Sequence, residues 1–482
     1  MDKGMRFLSN CFLLVAIIVV VNTTSEAQLI FRDLGAHEVL YDGLRDELIV
    51  SLPDQNQVVR LNPRNLEHRF PIFDTTGNPT HLALSDSGNT LYIGFENSPQ
   101  VAQIALATWS EVRRFGLGDV PGGSGLTYTY DIAVKPDNDD VIAVALRQFS
   151  SVRGLAVYDQ GVRLPNVLDS NSQAGSIVFG MIPDTLYGAD VTSSERGFRR
   201  YNVDAQGITL LSSVSGLLPG GVGHIVHVND RIYTDRRSVF HGPTNTLLGM
   251  YSGRGMIVPS SALNRAFITD FSQSLMSFEL DTFNFVEMTH DLNYQGGIRS
   301  LTRWGDDGFA FTTSQGYIYS MRSSLAWNQL RLPPASLTVL RGITLQGNLE
   351  SLTAPDNNRL IMRPGITFTT TQSPVEIEIR ATSPLLNPEG ISLSMEMQGS
   401  SVSVVQTVSF YDYIQSAFVI VSERPTRNED ERTQCDVFDI GHRFVDPVTG
   451  SVRARISYKP NGPVFSYPWS VQIDLARWVL PQ

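Results

Sequence analysis

The chain has 482 residues, 42% of them hydrophobic and 18% charged, and a formal net charge of −11 at neutral pH. This length exceeds one ordinary hydrophobic core and indicates a large domain followed by at least one more. The negative charge argues against nucleic acid or an anionic membrane surface as the main partner, because both attract basic patches. The 39 glycines and 25 prolines are spread without a period, as in an all-β protein with many turns.

The first residues are typical of a secretory signal peptide. Lys3 and Arg6 precede the apolar run Phe12–Val21, which is too short to cross a bilayer. Small residues at positions 25 and 27 predict a signal peptide over residues 1–27 and a mature start at Gln28, with an uncleaved N-terminal anchor as the alternative. No later apolar stretch predicts a transmembrane anchor. We therefore expect a secreted protein, extracellular or held at the cell surface.

One short pattern occurs seven times between Glu38 and Arg299, at intervals of 32 to 50 residues. It consists of a residue of varying type, three mostly apolar residues, a polar turn and a second apolar run. Periods of this size with several short strands each are typical of propeller blades. A four-stranded blade buries both faces only by stacking on neighbours around a ring. The pattern predicts a seven-bladed β-propeller over residues 28–331.

Strand signals within the repeats predict the strands of individual blades. In blade one they are Glu38–Tyr41, Glu47–Ser51, Gln57–Leu61 and His68–Ile72. In the short blade five they are Val226–Val228, Arg231–Thr234, Ser238–His241 and Leu247–Tyr251. Blade seven supplies only Ser300–Arg303, Phe309–Thr312 and Gly316–Met321. Leu29–Phe31 is predicted to be its missing outer strand, so that residues 28–34 close the last blade and remove an open sheet edge.

A proline-containing break, residues 332–336, is predicted to be a linker, because proline cannot continue a strand ladder. Beyond it, residues 337–482 contain strictly alternating runs such as Val375–Ile379 and Ile391–Met397. Alternation of this kind indicates half-buried antiparallel strands, and about seven of them predict a β-sandwich. The charge run Arg427–Arg432 is interpreted as a solvated loop. Cys435 remains alone once the signal peptide is removed, so we expect a buried thiol without a disulfide.

The segments Tyr41–Leu48 with Val58–Pro63, and Leu82–Gly94, resemble the YVTN-type and lactonase-like seven-bladed propellers. The stretches Arg363–Ile366 and Ser457–Trp469 are similar to a tail found behind such propellers in large exported bacterial proteins. The resemblance implies export and a modular chain. Some propellers of this broad kind are lactonases or lyases and many only bind, so the resemblance implies no particular activity.

The mouth of the central channel is where a propeller would hold chemistry, because the first position of each repeat lies there. Around the ring these positions are Glu38, His81, Asp131, Ser176, His224, Met256 and Arg299. The six polar ones are the candidate ligand-binding residues. A simple polar lining of a wet channel is the competing interpretation. A further alternative is that the strand register differs by one residue in two blades. The change would concern His224 in blade five, and in blade seven Ile298 would replace Arg299.

Two functions follow from this arrangement. The first is a non-catalytic binding or surface-scaffold protein with no expected cofactor, which recognises a protein or glycan through its propeller loops or its sandwich. The second is a metal-assisted hydrolase or lyase, in which Glu38, His81, Asp131 and His224 hold a divalent metal. That set resembles the axial metal and histidine arrangement of the streptogramin lyases.

Three other features carry weaker signals. The acidic run 136–140 lacks the spaced oxygen ligands of a calcium loop and is interpreted as a turn. Trp469 and Trp478 are expected to pack in the sandwich core, with glycan binding by their rings as the alternative. Gly220–Gly223 is not a dinucleotide loop, because no helix follows it.

Overall fold

The computed structural model describes residues 29–120, 125–169, 174–191, 195–220, 222–270, 273–289, 292–401, 403–461 and 469–482. The predicted signal peptide, residues 1–27, and the mature start at Gln28 lie outside the described residues. The expected all-β class is confirmed, since helix in the described chain is limited to the 3-10 turns Pro53–Gln55, Ser324–Ala326, Leu349–Leu352 and Gly441–Phe444. None of these helices has the length and hydrophobicity needed to span a membrane.

Seven four-stranded antiparallel sheets within the described residues form a propeller, as the repeats predict. Blade one consists of Val39–Asp42, Glu47–Leu52, Gln57–Leu61 and His68–Asp74. Blade two consists of Pro79–Leu84, Thr90–Phe95, Gln100–Ala105 and Ser110–Gly116. Blade three consists of Tyr128–Lys135, Asn138–Gln148, Ser151–Asp159 and Val162–Arg163. Blade four consists of Ser176–Phe179, Thr185–Ala189, Phe198–Asp204 and Gly207–Val214. Blade five consists of Ile225–Val228, Arg231–Thr234, Ser238–His241 and Thr246–Met250. Blade six consists of Ile257–Ser260, Arg265–Asp270, Ser274–Glu279 and Phe285–Thr289.

Blade seven is built from both ends of the propeller sequence. Its first three strands are Ile298–Trp304, Gly308–Thr313 and Tyr317–Arg322. Its outer strand is Ile30–Asp33, which pairs antiparallel with Tyr317–Arg322. The Phe31 ring lies 5.9 Å from Tyr317 and 5.6 Å from Tyr319, measured between ring centroids. The N-terminal strand thus occupies the edge that three strands alone would leave open.

The propeller core is divided among the blade interfaces. Seven hydrophobic clusters of described residues each join two neighbouring blades. At the closing interface, Trp304 and Ala310 of blade seven pack with Leu48 and Val50 of blade one. Central strands contact a neighbouring blade on each face, and therefore Glu47–Leu52 is buried at every position.

The C-terminal strands form two packed sheets. One has the order Ile343–Gln346, Leu360–Arg363, Val471–Pro481, Ile391–Gly399, Glu431–Val437, with Gln329–Leu332 also paired to Val471–Pro481. The other has the order Ser336–Arg341, Val375–Thr382, Ser451–Pro460, Val404–Asp412, Ala417–Pro425. Both sheets contribute to one hydrophobic core, which contains Cys435, Trp469 and Trp478. The sandwich and the burial of these three side chains are as expected.

The C-terminal region has more strands than its alternating runs predict. Gln329–Leu332 lies before the predicted boundary yet pairs with the sandwich, and Ser336 already begins a sandwich strand. The interpretation of residues 427–432 as a loop is wrong for the last two residues, which begin the strand Glu431–Val437. Glu431 is buried there because its carboxylate pairs with Arg424 at 3.2 Å. Paired charges of this kind are invisible to a hydrophobic pattern.

The two domains meet along the outer strand of blade six. Glu287 in that strand is 1% exposed, and its carboxylate accepts a hydrogen bond from Ser394 of the sandwich. Its oxygens lie 3.8 Å from the Arg331 guanidinium and 3.9 Å from that of Arg477. Nearby, Arg432 donates to the Val286 carbonyl at 3.2 Å. The interface therefore holds a buried carboxylate from one domain among guanidinium groups that belong to the strands of the other.

Candidate functional site

The first strands of the seven blades begin around one cavity of about 400 Å³ at the mouth of the channel. All six candidate positions from the sequence, together with Met256, line this cavity: Glu38, His81, Asp131, Ser176, His224 and Arg299. The side of the propeller that carries the cavity is called the mouth face below. It also carries the loops between blades and the turns between the second and third strands.

The two carboxylates of the ring accept hydrogen bonds from backbone amides. Glu38 Oε2 accepts a hydrogen bond of 2.7 Å from the Leu82 amide in the next blade. Asp131 Oδ2 accepts one of 2.8 Å from the Ile177 amide, again one blade further on. In both cases the donor is the residue immediately after the candidate position of the neighbouring blade. These carboxylates therefore tie consecutive blades together at the channel wall.

Ser176 makes the same contact, since its Oγ accepts a hydrogen bond of 3.1 Å from the Ile225 amide. This contact puts His224, the residue before Ile225, at the ring position of blade five, without the register shift that its short repeat left open. The imidazole of His224 has no hydrogen bond among the described residues, and burial lowers its pKa to about 4. It is a neutral group facing the cavity.

The candidate position of blade seven is Ser300, and the prediction of Arg299 as its ring residue is wrong. Ser300 Oγ accepts a hydrogen bond of 3.2 Å from the Val39 amide, which repeats the contact of the other blades. A bulge between Ile298 and Ser300 shifts the strand register by one residue. Arg299 is consequently exposed at the cavity rim. A bulge adds one residue to one strand, and the apolar pattern alone does not reveal it.

A second histidine stands beside His81 and was missed in the sequence, because it precedes the repeat. His37 Nδ1 lies 3.0 Å from the Thr80 carbonyl oxygen, and its ring centroid is 6.2 Å from that of His81. Burial lowers the pKa of His81 to about 3, and the charge of neighbouring His37 acts in the same direction. Burial also lowers the pKa of His37, so both rings are neutral near pH 7.

The structure does not assemble the predicted metal-ligand set. No group of three or more His, Cys, Asp or Glu side chains in the described part of the chain is arranged to hold a metal ion. Glu38 and Asp131 each direct one oxygen to a backbone amide of the adjacent blade. The same residues fit the alternative interpretation, a polar channel lining, now with the added role of joining blades.

Burial also changes the protonation of the ring carboxylates. It raises the pKa of Glu38 to about 8, with the charge of Asp131 adding to the effect. It raises the pKa of Asp131 to about 7, although hydrogen bonds from Ile177 and Ile132 oppose the shift. Two acids on one cavity thus titrate close to neutral pH.

These shifts predict a loss of stability as the pH rises from about 6.5 to 8. A carboxyl group with a raised pKa in the folded state binds its proton more tightly there, so folding becomes less favourable as the proton leaves. The histidines with lowered pKa make the stability depend on pH only below about 6.5, the ordinary pKa of histidine. Glu38→Gln is expected to flatten the dependence of the urea midpoint on pH in this window. Equal slopes for this variant, the wild type and the exposed control Glu423→Gln would contradict the assignment.

A second concave surface adjoins the channel mouth and shares Glu96 and Arg147 with it. It has a volume of about 390 Å³ and includes Leu126, Tyr128 and Phe149. Leu126 is 62% exposed and Phe149 is 86% exposed, although both are large and apolar. We call these five residues the rim groove.

The charged pair of the rim groove is held in place by several contacts. Arg147 donates to the Glu96 carbonyl at 3.0 Å and to the Phe149 carbonyl at 3.3 Å. Its guanidinium also lies 5.7 Å from the centre of the Tyr128 ring. These contacts join the turn of blade three to blade two. The rim groove was not predicted from the sequence. Its one indication there is an aromatic residue, Phe149, at a two-residue turn.

No protein-family model matches the sequence, and no curated protein matches it. Among solved structures, a hydrazine synthase of Kuenenia stuttgartiensis is 12% identical and covers 64% of this chain and 99% of its own, with a TM-score of 0.48. The Cps50 (Swd1) β-propeller domain of Myceliophteria thermophila is 14% identical and covers 62% of this chain and 98% of its own, with a TM-score of 0.48. Likenesses this weak carry no argument about function. The resemblance to YVTN-type propellers remains a prediction.

Proposed function

We propose that the protein is an exported, non-catalytic binding protein or surface scaffold whose propeller is its recognition platform. The observation that carries the proposal is Phe149. This side chain is 86% exposed at the tip of a two-residue turn, and its backbone φ of 54° lies in the left-handed region. Bulky residues are rare in that region, and unfavourable conformations of this kind concentrate at binding sites. An exposed ring held there costs stability and serves contact with a partner.

The chemistry of the rim groove favours a protein over a glycan as that partner. Leu126 and Phe149 offer apolar surface, while Arg147 and Glu96 offer a charged border next to it. Apolar side chains surrounded by polar groups are the usual composition of a protein interface. The ring residues support the same proposal, because the oxygens of Glu38 and Asp131 serve backbone amides of neighbouring blades.

The double variant Leu126→Ser, Phe149→Ser is expected to lose partner capture by at least about tenfold, the effect of removing a central apolar anchor. The measurement is a quantitative pull-down from extracts of the cells that produce the protein. Val162→Ser is the matched control, because Val162 is 67% exposed in the same blade but lies at a turn of the opposite face.

The ring variants distinguish this proposal from catalysis or ligand binding inside the channel. Asp131→Ala and His224→Ala are expected to retain the captured partner, since neither changes the rim groove. Complete loss of capture in both, with Leu126→Ser, Phe149→Ser unaffected, would contradict the proposal and move the binding site to the cavity.

A further inference from the structure

A cleft of about 580 Å³ lies between the propeller and the sandwich, away from the mouth face. Its propeller wall is formed by the first turns of blades six and seven, and its sandwich wall by residues 385–390 and 438–439. Binding sites for small ligands have volumes of about 300–1,000 Å³ and occur preferentially between domains. The cleft therefore has the size and place of a binding site, and its chemistry indicates the ligand.

One arginine of the cleft is fully engaged in joining the domains. Arg322 of blade seven donates to Asp307 at 2.8 Å and to Asp439 of the sandwich at 2.7 Å. Its guanidinium also lies 4.3 Å from the centre of the Phe438 ring. Both carboxylates share this one cation. Arg322 thus fixes the back of the cleft and leaves little of its charge for a ligand.

Two carboxylates of the cleft have no such partner. Asp306 on the propeller wall and Glu389 on the sandwich wall are exposed and make no ion pair or side-chain hydrogen bond among the described residues, although the charge of Arg303 acts on Asp306 from beyond ion-pair distance. The second arginine of the lining, Arg303, directs its terminal nitrogens to the Ser260 hydroxyl and the Ala326 carbonyl. The lining has four carboxylates and two guanidiniums, so a positively charged group is the complementary occupant.

A hydrogen-bond donor of a mostly buried side chain in the same cleft points to a second ligand feature. Trp327 is only 5% exposed, lines the cleft, and has no hydrogen-bond partner for its indole N–H in the described part of the chain. Its ring packs edge-on against Phe438 at 5.5 Å. The indole nitrogen is not one of the fully buried atoms, so water reaches it, and a ligand that accepts a hydrogen bond here would replace that water.

We propose that the cleft binds a basic peptide segment of a partner protein. A lysine or arginine side chain would place its charge between Asp306 and Glu389, with its aliphatic part against Leu386 and Pro388. A backbone carbonyl of the same segment would accept the hydrogen bond of Trp327. This site is independent of the rim groove, and its test does not depend on the partner captured there.

The test uses the whole protein and blocked tripeptides with lysine, arginine, glutamine or glutamate at the centre. Isothermal titration is expected to show the lysine and arginine peptides binding at least about tenfold more tightly than the other two. Asp306→Asn and Glu389→Gln are each expected to weaken the lysine peptide about three- to fivefold, the usual effect of one exposed ion pair. Asp119→Asn, an exposed carboxylate on the mouth face, is the matched control.

Nuclear magnetic resonance reports the hydrogen bond separately. The indole N–H signal of Trp327, assigned with Trp327→Phe, is expected to shift during titration with the lysine peptide. The proposal is overturned if the glutamine peptide binds as tightly as the lysine peptide. It is also overturned if the double variant Asp306→Asn, Glu389→Gln, which changes only exposed side chains, leaves the affinity unchanged.

Discussion

A chain that begins at Leu34 is expected to be about 3 kcal/mol less stable than one that begins at Gln28. The truncation removes the partly buried Ile30, worth about 1 kcal/mol, and the contacts of Phe31 with Tyr317 and Tyr319, worth about 1 kcal/mol each. It also leaves the strand Tyr317–Arg322 as an open edge. Urea unfolding of the two chains is the measurement.

A peptide of residues 28–34 provides the control for this experiment. Added in trans, it is expected to restore part of the lost stability, because the vacated edge matches it in register. A scrambled peptide is expected to have no effect. Equal urea midpoints for the truncated and full chains would show that the ring closes without the N-terminal strand.

Glu287→Ala is expected to lower the free energy of unfolding by about 3 kcal/mol, because it removes a buried carboxylate that faces two partly buried guanidiniums and accepts the hydrogen bond of Ser394. The Glu287 carboxylate bridges blade six to Ser394 and lies near Arg331 and Arg477 of the sandwich strands. We also expect the domains to unfold in two steps instead of one. Chemical denaturation followed by near-UV circular dichroism measures both effects.

Two further variants separate the buried charge from general damage. Glu287→Gln keeps the acceptor for Ser394 and is expected to lose less stability than the alanine variant. Glu350→Ala, at an exposed glutamate of the sandwich, is expected to change stability by less than about 0.5 kcal/mol. An alanine variant at position 287 as stable as the wild type would mean that the domains are held by their apolar contacts alone.

The predicted strands of blade one agree with the structure within a residue or two, because alternation and turn residues act over short distances. Asp42 illustrates this, since its carboxylate accepts from the Leu44 amide at 3.0 Å within one turn. The strand Ser336–Arg341 was missed for the opposite reason. It is an edge strand with mostly exposed residues, and its apolar alternation covers only Ser336–Val339 before Leu340 ends it.

The candidate site likewise has features that the sequence predicts and features that depend on the folded chain. The repeat placed all six polar candidates at the channel mouth, but a bulge in blade seven put Ser300 instead of Arg299 in the ring position. The metal-ligand set failed because the sequence does not reveal where a carboxylate directs its oxygens. Phe149 and Trp327 were not selected, since exposure at a turn and burial beside a cleft are properties of the folded chain.

The sequence by itself determined the seven-fold repeat, the all-β class and the presence of a sandwich after the propeller. Each follows from periodicity and turn chemistry within some 50 residues. Only the tertiary structure decided that Glu38, Asp131, Ser176 and Ser300 bind the amides of neighbouring blades. It also decided that Glu287 lies between the domains, and that a rim groove and an acidic cleft exist. These features join residues distant along the chain, where a shift of one residue in register exchanges one partner for another.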